Sequence, residues 1–87
     1  MSWKLVYSRE AVKDAKKIFR SGLKLKVEEL LLILEKNPFL NPPSYEKLNG
    51  DLKGFYSRRI NVQHRLVYEV YIKLRVVKIL SLWNHYE

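Results

Sequence analysis

The stretch Ser57–Val70, SRRINVQHRLVYEV, constrains this chain more than any other. Strand formers alternate with polar residues on both sides of Asn61-Val62-Gln63, the pattern of a β-hairpin with a three-residue loop. In that register Arg59 faces Arg65 and Ile60 faces His64. Side chains alternate along a strand, so one face collects Tyr56, Arg58, Ile60, His64, Leu66, Tyr68 and Val70. The other collects Phe55, Ser57, Arg59, Arg65, Val67, Glu69 and Tyr71. The first face is the more apolar and is expected to meet the rest of the core. The second sets two arginines side by side, and like charges directly opposite each other destabilise a sheet. An anionic partner is the physical reason to keep them there.

The remaining segments supply the cover for the apolar face. Trp3–Tyr7 (WKLVY) alternates and reads as a first strand. Ser8 suits an N-cap, and Glu10 follows in the first turn, where a carboxylate complements the helix dipole. Ala11, Ala15, Ile18 and Phe19 continue at helical spacing to about Arg20, and Ser21-Gly22 breaks the pattern. A second helix is expected from about Leu23 to Lys36, with Leu23, Val27, Leu30, Leu31 and Leu34 as its apolar stripe, and Asn37-Pro38 ends it. The run NPFLNPPS reads as a stiff extended loop. Strands are expected at about Gly54–Ile60, His64–Tyr71 and Arg75–Trp83, with Asn49-Gly50-Asp51 as a further turn. The order is β-α-α-β-β-β in one α+β domain spanning residues 1–87. Two helices pack on one face of a twisted antiparallel sheet, and the other face stays open. If Ile72–Leu74 forms the last loop, Arg65 faces Ser81, Val67 faces Ile79, and Trp83 and His85 project beside the arginines. A slip of one residue would reverse that parity.

An 87-residue chain without cysteine does not depend on an oxidising compartment. Its N-terminus lacks the apolar stretch of a signal peptide, and its longest apolar run, Leu30–Leu34, is too short to cross a bilayer. A cytoplasmic protein without membrane insertion is expected. Seventeen Lys and Arg against nine Asp and Glu leave a net charge of +8, which suits nucleic acid, an acidic protein or an anionic surface.

Clustered arginine and histidine fit one chemistry especially well. Arginine grips phosphate with a planar fork of donors, and histidine, with an ordinary pKa of roughly 6.5, exchanges protons near neutrality. RNA brings its own nucleophile, the 2′-hydroxyl. Its cleavage needs a base, cations for the phosphorane charge and an acid for the leaving oxygen, with no strict need for a metal or other cofactor. Plainer roles compete. Surface arginines commonly serve solubility, His64 suits a hydrogen-bonded framework role, and His85 near a chain end can simply be exposed. Tyr56, Tyr68 and Tyr71 are ordinary strand residues, and periodicity alone selects no base.

The segment YEKLNGDLKGFYSRRINVQHRLVYEV, with the terminal WNHYE, closely resembles the Txe/YoeB toxins of bacterial toxin–antitoxin systems, within the RelE superfamily. The likeness is dense from Pro38-Phe39 to Val70 and returns at His85-Tyr86. It implies a RelE/YoeB-like microbial RNase fold. It also implies a ribosome-dependent endoribonuclease that cuts mRNA in the A site, leaves a 2′,3′-cyclic phosphate and so inhibits translation. Position by position, Glu46 corresponds to the general base and His85 to the general acid. Arg65 corresponds to the cation on the scissile phosphate, Arg59 supports it, and Tyr86 helps place the substrate. Lys47, Asn49, Lys53 and Arg58 are the expected RNA contacts. Family members often carry lysine at the position of Asn49, so Lys47 or Lys53 would stand in, and Glu87 adds a carboxylate after Tyr86. In relatives the basic helical half (Arg9, Lys13, Lys16, Lys17, Arg20, Lys24 and Lys26 here) contacts ribosomal RNA. The implied partners are mRNA, the ribosome and an acidic YefM-like antitoxin, with a homodimer left open. Two other readings compete: a non-catalytic RNA-binding module, and a gyrase-poisoning member of the same superfamily.

Overall fold

Ser8 ends the first strand and starts the first helix. In the computed structural model, residues 2–49 and 54–85 are described, Asn84 and His85 by backbone alone. Strand β1 (Lys4–Tyr7) is followed by α1 (Arg9–Ser21) and α2 (Lys24–Lys36). Strands β2 (Glu46–Lys47), β3 (Phe55–Arg59), β4 (His64–Tyr71) and β5 (Val76–His85) complete the chain. The Ser8 hydroxyl accepts from the Ala11 amide at 3.0 Å and donates to the Leu80 carbonyl at 2.8 Å. One side chain thereby caps α1 and ties its start to β5. Gly22 closes α1 with φ 83°, a left-handed conformation that glycine adopts without a Cβ penalty.

Both helices lie on one face of a five-stranded sheet of order β1-β5-β4-β3-β2. Ala11 and Ile18 from α1 and Val27, Leu30 and Leu34 from α2 join Trp3, Leu66, Tyr68, Val77, Ile79 and Leu82 in the core. Phe19, expected on the buried stripe, is instead 60% exposed. It lies a helical step aside from Ile18 and carries the Lys24 ammonium 5.0 Å from its ring centroid. Asp14 takes a place among the buried residues of α1.

The sheet is mixed, not purely antiparallel as expected: β1 runs parallel to β5, while the other three pairings are antiparallel. No hairpin joins β1 to β5, so no turn imposes their relative direction. Parallel pairing sets the residues after Tyr7 alongside those after Ile79, where α1 completes the edge of β5. Asp14 Oδ2 accepts from the amides of Leu82 (2.9 Å) and Trp83 (3.2 Å). These consecutive amides sit where the β4–β5 ladder slips in register between Arg65 and Val67. Such an irregularity leaves ladder groups without a strand partner, and the carboxylate supplies the acceptor.

The β3–β4 hairpin has the expected register, with Arg59 opposite Arg65 and Arg58 opposite Leu66. The β4–β5 connection does not. Tyr71 pairs with Val76, so four residues, Ile72 to Arg75, form the loop. Arg75 adopts φ 54°, the left-handed position that a glycine would ordinarily mark. Two register shifts, between Val67 and Tyr68 and between Arg65 and Val67, add to the longer loop, so Val67 faces Ser81, not Ile79, and Arg65 faces Asn84, not Ser81.

Candidate functional site

The open face of β3 and β4 carries a cluster that β2 completes. Glu46 pairs with Ser57 in the β2–β3 register, and Ser57 pairs with Val67 beside Arg65. Glu46 therefore projects toward Arg65, whose Nη1 lies 3.4 Å from Glu46 Oε1. The same Nη1 donates to Ser57 Oγ at 3.5 Å. Arg65 is largely sheltered, with 15% of its side chain exposed, whereas Glu46 is 64% exposed. Ser44, Tyr45, Glu46, Ser57, Arg59 and Arg65 together line a pocket of about 160 Å³. The carboxylate offsets part of the repulsion between the facing arginines. An ion pair this exposed is worth at most about 1 kcal/mol, so an incoming phosphate can readily replace Glu46 on Arg65.

The three hairpin arginines thus have different surroundings. Arg59 points outward and is exposed, and Arg65 is mostly covered in the pocket. Arg58, expected to contact RNA, is 1% exposed and faces the core. Its Nη1 donates to the Pro43 carbonyl (2.7 Å), and its Nη2 donates to the carbonyls of Pro38 and Leu40 (both 2.9 Å). The guanidinium carbon lies 5.0 Å from the Tyr45 ring centroid and 6.0 Å from that of Tyr68. Carbonyl dipoles and aromatic faces replace water around this buried cation. Alternation along β3 turns Arg58 inward, which removes it from the RNA-facing set. The Tyr68 hydroxyl donates to the same Pro38 carbonyl at 2.8 Å. Burial pushes the Tyr68 phenol up to about 12, against the opposing pull of Arg58.

The other expected site residues are dispersed. Lys47 and Asn49 line a separate depression with Leu48, Gly54, Phe55 and Tyr56, away from the Glu46–Arg65 pocket. Trp83, expected beside the arginines, stacks on His64 with ring centroids 4.0 Å apart. His64 is buried on the core side, so the longer last loop and the two register shifts beyond it have together carried Trp83 to the opposite face. The backbone register sets His85 opposite His64. The His85 side chain, Lys53 and Tyr86 lie outside the described residues. Sequence reasoning overlooked Tyr45 as a wall of the pocket. Its place between Pro42-Pro43 and Glu46 was the available signal. Ser57 was already on the open face by alternation, but nothing singled it out.

Comparison with known proteins bears on the family and the fold. The family of YoeB-like toxins of bacterial type II toxin–antitoxin systems matches residues 5–86. The chain is 44% identical over 45 residues to Toxin YoeB of Escherichia coli K12, a match covering 52% of this chain and 54% of that protein. It thus spans about half the length of the first curated relatives it matches. Among solved structures, a YoeB/ParE toxin from Agrobacterium tumefaciens superposes with a TM-score of 0.86 at 29% identity, covering 95% of this chain and 99% of that one. The YoeB chain of a YoeB-YefM complex from Staphylococcus aureus gives a TM-score of 0.80 at 36% identity, covering 97% of this chain and 98% of its own. With the family matched along nearly its whole length, the chain belongs to the YoeB-like toxins of bacterial type II toxin–antitoxin systems.

Proposed function

We propose that this chain is a ribosome-dependent mRNA endoribonuclease that acts in the cytoplasm. The observation that carries the reading is the meeting of Glu46 and Arg65 at 3.4 Å on the open sheet face, with Arg59 lining the same pocket. That pocket offers a carboxylate and two guanidiniums to one phosphodiester. On docking, phosphate takes over Arg65 and releases the Glu46 carboxylate toward the 2′-hydroxyl. Glu46 accepts the hydroxyl proton as the 2′-oxygen bonds to phosphorus. Arg65 and Arg59 stabilise the phosphorane charge. The bond to the 5′-oxygen then breaks, and His85, by resemblance, donates the proton that this oxygen needs. The products are a 2′,3′-cyclic phosphate and a 5′-hydroxyl. Proton and charge balance with protein groups alone.

The ribosome's role is to align the message at a small pocket. The pocket formed by the described residues, at about 160 Å³, is small beside an RNA strand. Alignment supplies much of the rate in such reactions, and the ribosome provides it. The net charge of +8 supports sequence-independent affinity for ribosomal RNA. It also suits an acidic antitoxin of the YefM kind, since the S. aureus relative is seen in a YoeB-YefM complex. A dimer of S. aureus YoeB is also known, and self-association belongs to the same proposal.

The test is to mix purified chain with programmed ribosomes or with the same mRNA alone. Cleavage confined to the ribosome-bound message, with cyclic-phosphate ends, is expected, and it should persist in a chelator mild enough to leave ribosomes assembled. No cleavage on ribosomes, or equal cleavage of free mRNA, would overturn the reading.

A further inference from the structure

Glu46 sits on a strand too short to hold itself. β2 is two residues long, and beyond it the Leu48 amide donates to the Phe55 carbonyl at 2.9 Å. The chain leading into it contains Pro42 and Pro43, which have no backbone N–H to tie the loop down. Its carbonyls need donors from elsewhere, and Arg58 supplies them to Pro38, Leu40 and Pro43 at 2.7–2.9 Å. The Tyr68 hydroxyl adds a second donor at Pro38. The Arg58 guanidinium also faces the ring of Tyr45, the residue directly before Glu46.

We infer that Arg58 is a positioning residue for Glu46, acting as a clamp on residues 38–45 that fixes where the carboxylate meets Arg65. The inference rests on Glu46 serving as the base. Arg58 and Ser57 are neighbours on β3, one pointing inward to the loop and the other pairing with Glu46 across the sheet. A single strand thus sets both the approach of the loop and the register of β2. All three carbonyls that Arg58 engages lie between residues 38 and 43, so losing its donors loosens this segment first. Lysine replaces it only in part, because an ammonium is a point donor and not a planar fork.

The experiment compares Arg58→Met with wild type in single-turnover cleavage on programmed ribosomes, with ribosome affinity and hydrogen exchange measured alongside. Misplacement of a reacting group by about 1 Å can cost on the order of 10²-fold, and a loss of that size is expected at unchanged ribosome affinity. Protection of the Leu48 amide should fall while β4 amides keep theirs. In a Glu46→Gln background the same substitution should cost little more, since the group it positions no longer takes the proton. Arg58→Lys should fall between Arg58→Met and wild type. Equal losses in both backgrounds, or wild-type cleavage by folded Arg58→Met, would overturn the inference. If Arg58→Met does not fold, Tyr68→Phe, which removes one donor from Pro38, takes its place under the same criteria. If the wild-type chain cleaves nothing, the proposed activity fails and exchange alone decides the clamp: lost Leu48 protection supports it, and retained protection overturns it.

Discussion

Replacing Asp14 tests how the end of β5 is held. Its carboxylate is buried, with 2% exposure, and one oxygen accepts from the amides of Leu82 at 2.9 Å and Trp83 at 3.2 Å. Asp14→Ala leaves two sheltered N–H groups without that acceptor, at a cost of about 1–3 kcal/mol each. Removing a buried carboxylate also returns part of its desolvation cost. The net expectation is a loss of about 3 kcal/mol, a lowering of Tm by about 12–24 °C in a domain of this size. Asp14→Asn keeps an acceptor oxygen and should cost about 1 kcal/mol. Urea unfolding gives the free energies. Amide exchange should show Leu82 and Trp83 losing protection in the alanine variant before Leu66 does. A stability within about 0.5 kcal/mol of wild type, the range of inert surface changes, would refute the reasoning. So would an asparagine variant as damaged as the alanine one.

Two further predictions concern the hairpin. Burial raises the Tyr68 phenol from 10.0 to about 12, so the folded state favours its neutral form. That contribution, about 3 kcal/mol, is complete below pH 10 and is lost as pH rises through about 12. Denaturant titrations across that window should show the loss in wild type and a smaller one in Tyr68→Phe, in which the raised phenols of Tyr7 and Tyr71 remain. At Arg65, substitution by Gln should lower single-turnover cleavage by roughly 10²–10³-fold, the worth of one preorganised donor to developing charge. Urea unfolding should show nearly unchanged stability, because the Glu46 partner is mostly exposed.

Local patterns carried much of this molecule. Ser8, Gly22 and the apolar spacing of α1 and α2 marked the helices, since caps and periodicity act within a few residues. Asn61-Val62-Gln63 fixed the register that sets Arg59 opposite Arg65. The parts that stayed hidden depend on distant partners. β2 is an edge strand of two residues without alternation, and its placement depends on a loop held by Arg58, which follows it by more than ten positions. The parallel pairing of β1 is secured by Ser8 and Asp14 reaching residues 80–83, which no nearby turn announces. At the last hairpin, Arg75 takes a left-handed conformation without glycine. It has compensation in the ring of Trp3, 4.5 Å from its guanidinium carbon, a contact across the whole chain. That extra loop residue and the two register shifts further along the β4–β5 ladder together reversed the parity of Trp83. Glu46 was legible as a candidate only through family resemblance, because an isolated glutamate after a proline loop has no pattern of its own.

The central claim is that Glu46 takes the proton of the 2′-hydroxyl in a site where Arg65 holds the phosphate. Glu46→Gln keeps the shape of the side chain and most of its hydrogen bonding but cannot accept that proton. Single-turnover cleavage on programmed ribosomes should fall by roughly 10²–10⁴-fold, the usual worth of general acid–base catalysis, while ribosome binding, measured separately, persists. Cleavage by Glu46→Gln at close to the wild-type rate would contradict the account.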